Sequence, residues 1–174
     1  QLAKLRHQIF VAAIICVAVL LGTTAATFIV STVQSDQLEI TMALNQYRNG
    51  SKTLTSEVQS YAVTGNQIYY DNYMNELNVD QNREKAMATL KECDITEEEW
   101  AKFDAIAALS DGLVPLEEAA MALVAGGDLK AAQESVFGDI YEETIVQINA
   151  QTEEVIEQIQ ARKASQKTLF QMLQ

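Results

Sequence analysis

The chain has 174 residues, formal net charge −12 and 48% hydrophobic content, a length and composition suited to one domain. Its acidity argues against nucleic-acid binding, and a single proline with no low-complexity tract excludes a disordered tail. The only histidine is His7, which removes His-based zinc sites, Ser–His–Asp triads and Glu-x-x-His di-iron pairs from everything beyond it.

Residues 1–8 carry Lys4, Arg6 and His7 without an acid and read as a cytoplasmic flank. Residues 9–30, IFVAAIICVAVLLGTTAATFIV, then run 22 positions without a charge. At about 1.5 Å per helical residue that is roughly 33 Å, enough to cross a bilayer core. A cleaved signal peptide is the rival reading, since TTAA resembles a cleavage site. The apolar run resumes at Phe28, Ile29 and Val30 and enters helical sequence without a break, which favours an anchor. All 24 acids but only ten of the 12 basic residues follow residue 30, so residues 31–174 are expected to form a solvated domain outside the membrane.

Val33, Ile40, Tyr47, Leu54 and Tyr61 recur every seven residues, with Leu44 and Val58 in the complementary seam, which predicts one helix continuing out of the membrane. The repeat keeps phase across Gly50 and stops at Gly65, a C-terminal cap, with Asn66 as the next N-cap. In YAVTGNQIYYDNYMNEL, residues 61–77, this makes a tight corner between antiparallel helices. Tyr69, Tyr70 and Tyr73 then either pack the bundle end or touch a ligand.

A second helix is expected over 67–92. Cys93 follows, free or bridging two subunits, because Cys16 lies in the apolar segment. Thr96 and Glu99 form a capping box, with Ile95 and Trp100 at the staple positions. Ile106, Leu109, Leu113, Leu116, Ala120 and Leu123 mark the buried stripe of a third helix, which Pro115 should kink. Gly126-Gly127 ends it, and Asp128 caps a short helix over 129–137. A last long helix begins near Asp139, its seam running through Tyr141, Ile145, Ile148, Thr152, Val155, Ile159 and Leu169. Arg162 and Gln166 interrupt that seam with polarity before Leu173. The fold class is therefore all-α: an N-terminal transmembrane helix continuing into an antiparallel up-down-up-down four-helix bundle.

YAVTGNQIYYDNYMNEL, CDITEEEW and ALSDGLVPLEEAAMALVAGGDLKAAQESVFGDIY together resemble the four-helix-bundle sensor domain of bacterial methyl-accepting chemotaxis receptors, over nearly the whole chain. The resemblance implies an extracytoplasmic sensor in the bacterial inner membrane, usually a homodimer, linked to cytoplasmic machinery that controls a histidine kinase. Similar sensors front membrane histidine kinases and diguanylate cyclases. Aspartate-sensing members bind through arginines near the distal end of the first helix. Thr55 to Thr64 contain none here, so no amino-acid pocket is carried over.

Counting about 14 residues down from the two glycine turns brings Ser51, Asp80 and Ser110-Asp111-Gly112 to one level, with Arg83 and Glu84 just below Asp80. Counting up from the C-terminus adds Thr152. This level is either a small polar pocket, with Arg48 or Lys52 meeting an anionic group, or a polar layer that sets helix register. The candidate ligand residues are thus Arg48, Ser51, Lys52, Asp80, Arg83, Asp111 and Thr152. The function expected is a transmembrane chemoreceptor sensor for a small molecule or a ligand-carrying binding protein. The alternatives are a kinase or cyclase sensor, or an anchored dimerising bundle without signalling. No metal, cofactor or catalytic residue is expected.

Overall fold

The computed structural model describes the backbone of residues 2–172 and the side chains of residue 6, 10–24, 35–169 and 172. Among the described residues the protein is an all-helical bundle without strands. Its elements are α1 (Leu2–Thr64), α2 (Gln67–Asn75), a π-helical turn (Glu76–Asp80), α3 (Asn82–Lys91), α4 (Glu97–Ala125), α5 (Leu129–Val136) and α6 (Asp139–Met172).

The boundaries follow from local chemistry. Gly65 closes α1 at φ +64°, a left-handed conformation that costs glycine little, and Asn66 Oδ1 accepts the Ile68 N–H to start α2. The capping box forms as expected: Thr96 Oγ1 accepts from the Glu99 N–H at 3.2 Å, and Glu99 Oε2 from the Thr96 N–H at 2.9 Å. Asp128 Oδ1 caps α5 through the Ala131 N–H. α4 runs uninterrupted through Pro115.

Cross-helix hydrogen bonds give the directions. Gln46 Nε2 donates to Asn82 Oδ1 and Asn72 Nδ2 to Glu57 Oε2, so the α2–α3 arm returns along α1. Arg48 pairs with Glu153 and Gln59 with Glu142, so α6 also runs against α1. Lys102 pairs with Glu154 and Glu99 with Arg162, setting α4 against α6. Packing is most extensive within two hairpins, α1 with α2–α3 and α4 with α5–α6. Both distal turns meet, because a Cβ on Gly65 would lie 3.3 Å from Leu129 Cδ2.

Ile40, Leu44, Tyr47, Val58 and Tyr61 of the α1 repeat are buried with Ile106, Leu113, Ile148, Val155 and Ile159. Tyr47 meets Phe103 edge-on at 5.2 Å, and Trp100 leans on the same ring at 5.8 Å. Tyr61 and Tyr70 pack at a tilt of 53° toward the distal end, with centroids 5.5 Å apart.

The expected second helix over 67–92 does not form as one piece. The chain widens into the π-helical turn and leaves it at Gln81, a non-glycine residue at φ 47°. The cause is Glu76, which turns inward, is 4% exposed and accepts from Asn82 N at 3.0 Å and Asn82 Nδ2 at 2.7 Å. Its carboxylate thereby caps the restart at α3. Gly50 makes room for this: a Cβ there would lie 3.0 Å from both Asn82 Cβ and Glu76 Oε1.

The seam of α6 also departs from expectation. Leu169 is exposed, and Leu173 lies outside the described residues. Arg162 is no loose point, since it binds the first turn of α4, as described below. Among the described residues no helix is long and apolar enough to cross a membrane. Of the segment expected to do so, residues 9 and 25–30 have side chains outside the described set.

Candidate functional site

A partly enclosed cavity of about 60 Å³ lies at mid-height between the two hairpins. α1 contributes Ser51, Leu54 and Thr55, and α4 contributes Ser110 and Asp111. Tyr73 and Arg83 enter from the second arm, Ile145 and Asn149 from α6. Every arm of the bundle therefore supplies part of the wall.

The inner wall is a buried polar cluster. Glu117 is 7% exposed and accepts from Tyr73 Oη at 2.6 Å and from Tyr141 Oη at 2.8 Å, one phenol on each carboxylate oxygen. Burial, then the Glu117 charge and hydrogen bond, push both phenols well above the ordinary tyrosine range. Two donors on one acidic side chain satisfy a group that would otherwise be costly to bury.

The open side differs. Among the described residues, the Arg83 guanidinium donates no hydrogen bond, and its nearest acid is Glu84 at 3.9 Å. Ser51 Oγ is buried without a partner. Ser110 and Asn149 line the same space, and Asp111 stands exposed at the rim.

The structure thus brings together Ser51, Arg83 and Asp111 of the sequence-derived candidates, and places the other four elsewhere. Arg48 is held by Glu153 at 2.8 Å and by Asn45 Oδ1, so its charge is spent on α6. Lys52 is exposed and does not line the cavity, because it falls on the solvent side of α1. Asp80 is exposed and accepts from Asn75 Nδ2, carried outward by the π-helical turn. Thr152 is buried with an unpartnered hydroxyl but does not line the cavity. Arg48 Nε is likewise buried and unpartnered, and the Arg48–Glu153 pair puts it in the same α1–α6 layer.

A second polar centre lies nearer the open end of the bundle. Glu99 is 1% exposed and receives Arg162 Nε at 2.8 Å and Nη2 at 2.7 Å, a two-pronged pair. Arg162 also donates to Asp94 O and Asp94 Oδ2, and Lys163 Nζ donates to Asp94 Oδ2 at 3.0 Å. Burial raises the Glu99 carboxyl, but the bonds from Arg162 and Thr96 outweigh it and leave the group below the usual range. Asp94 is lowered, first by Lys163 and then by Arg162. This clamp ties α6 to the α3–α4 loop and the start of α4.

No protein-family model matches this chain, and neither a curated protein nor a solved structure matches it.

Proposed function

We propose that this chain is the sensor region of a transmembrane chemoreceptor, carrying an extracytoplasmic signal to a cytoplasmic module that controls a histidine kinase. The observation that carries the reading is the pairing of one continuous helix with one shared cavity. α1 passes through an uncharged stretch, where Phe10, Ile14, Leu20 and Leu21 are each more than half exposed, and further along forms a wall of the site at Ser51–Thr55. An apolar surface of that kind needs a cover, and lipid is the cover that an anchor provides. The expectation that residues 9–30 span the bilayer, with the N-terminus cytoplasmic and residues 31–174 outside, belongs to this reading, as does the homodimer.

Signal passes by relative displacement of the hairpins. A molecule in the cavity touches both of them, while the Arg162–Glu99–Asp94 clamp makes α6 move with α4. Packed helices slide in small steps, about 1–2 Å, and α1 and α6 are the elements that carry such a step toward the membrane.

Membrane-impermeant maleimide on intact cells tests the topology, with single cysteines at Lys4 or Asp104 after Cys16 and Cys93 are replaced by serine. The reading expects labelling at 104 and protection at 4. Equal labelling at both positions contradicts it. A chimaera carrying residues 1–174 on a kinase-controlling module then separates a sensor from an anchored bundle. Kinase activity that is the same with the cavity open or filled by Ser110→Trp removes the signalling claim.

A further inference from the structure

We propose that the mid-height cavity binds a small monocarboxylate of two or three carbons, with its carboxylate on Arg83. This deepens the sensor reading by naming the ligand class of the same site, and it rests on that reading only for its consequence.

The argument begins with unused donors. A guanidinium presents five N–H groups in a planar fork, matched to a carboxylate. Among the described residues, Arg83 spends none of them in a hydrogen bond, although its side chain is only 25% exposed. Ser51 Oγ is buried and unpartnered on the facing helix. The Ser110 hydroxyl and the Asn149 amide lie in the same wall, also without a hydrogen bond among the described residues. By contrast Arg48, the cation that sequence spacing favoured for an anion, is already neutralised by Glu153.

The acceptors argue in the same direction. Both Glu117 oxygens are taken by Tyr73 and Tyr141, so the buried acid has little left to offer a ligand cation. Its negative charge instead makes an unaccompanied second carboxylate unwelcome. Asp111 at the rim is exposed, so water screens both its repulsion of an anion and its attraction for an ammonium group. Leu54, Leu113, Val114 and Ile145 supply an apolar wall for a short alkyl end.

Size selects within the class. A cavity of about 60 Å³ is far below the roughly 300–1,000 Å³ of drug-sized sites. It suits a molecule of four or five heavy atoms. At the efficiency ceiling for such small ligands, dissociation constants should be no tighter than a few to tens of micromolar, on the order of 10⁻⁶–10⁻⁵ M.

The test is calorimetric titration of the full chain in lipid nanodiscs with sodium acetate and sodium propionate, and with glycine and succinate as comparators. The inference expects saturable binding of acetate or propionate, at least tenfold weaker in Arg83→Gln and partly retained in Arg83→Lys. Ser110→Ala provides a second variant, with a loss of severalfold, and circular-dichroism melts confirm that each variant is folded. Absence of saturable binding up to about 50 mM overturns the inference. So does equal affinity in folded Arg83→Gln, or tighter binding of glycine or succinate than of acetate. Binding that leaves the spacing of α1 and α6 unchanged keeps the ligand assignment and removes the sensor reading, so the two fail separately.

Discussion

Replacing Arg162 by leucine should strand the Glu99 carboxylate, which is 1% exposed and takes two of its three hydrogen bonds from that guanidinium. Breaking a buried ion pair by removing one partner costs roughly 3–5 kcal/mol. Arg162 retains 23% exposure and the Thr96 N–H remains in place, so the expected loss is nearer 2–3 kcal/mol. For a domain of this size that lowers Tm by about 5–10 °C. The effect has a pH signature. Glu99 titrates lower in the folded protein than its unfolded value of about 4.3. Its contribution is therefore complete above that value and is lost as pH falls through the folded pKa. Circular-dichroism melts of wild type and Arg162→Leu should differ most at pH 7 and converge as pH falls through the lowered folded pKa of Glu99. Adding Glu99→Leu should recover most of the loss, since no buried charge is then left alone. A deficit under about 0.5 kcal/mol at pH 7, or one that persists on acidification, refutes the clamp as described.

Further outcomes follow from the same geometry. Tyr73→Phe or Tyr141→Phe should each cost about 1.5–3 kcal/mol in chemical denaturation, since each removes a hydrogen bond to the buried Glu117. In an ultraviolet titration of the six tyrosines, these two should ionise last, because their folded pKa values are raised. Their contribution to stability is present below the unfolded value of about 10 and declines as pH rises above it. Gly50→Ala gains roughly 1 kcal/mol of helix propensity but forces a Cβ to 3.0 Å from Asn82 Cβ. Overpacking of about 1–3 kcal/mol should win, lowering Tm modestly and weakening acetate binding by displacing Arg83. Thr96→Ala should cost about 0.5–2 kcal/mol through the capping box, measured by the same melts.

Helix ends were readable because their signals are local. Gly65, Asn66, Thr96, Glu99 and Asp128 act within a few residues of themselves, and each caps where expected. The level of the cavity was readable because antiparallel helices of equal rise keep a common count, which brought Ser51, Arg83 and Asp111 together. What escaped were acids whose burial depends on a partner distant in sequence. Glu117 follows Leu116 and precedes Ala120, and a stripe read from apolar residues passes through Leu116 instead. The phenols of Tyr73 and Tyr141 meet Glu117 inside the bundle, from positions 44 and 24 residues away. Glu76 breaks the second arm by meeting Asn82, a near neighbour in sequence, in room that the distant Gly50 leaves. Arg162 looked like a weakness in an apolar seam, yet its partners Glu99 and Asp94 lie more than 60 residues away.

The central claim is that occupying the cavity moves α6 relative to α1. Ser35 and Ser165 are exposed and lie at matching heights by the Arg48–Glu153 and Gln59–Glu142 register. Spin labels on cysteines at these two positions, with Cys16 and Cys93 replaced by serine, report the spacing in nanodiscs by pulsed dipolar spectroscopy. With acetate occupancy established by calorimetry on the same sample, the account predicts a shift of about 1–2 Å in the mean distance, absent in Arg83→Gln. An unchanged distance distribution at saturating occupancy would contradict it.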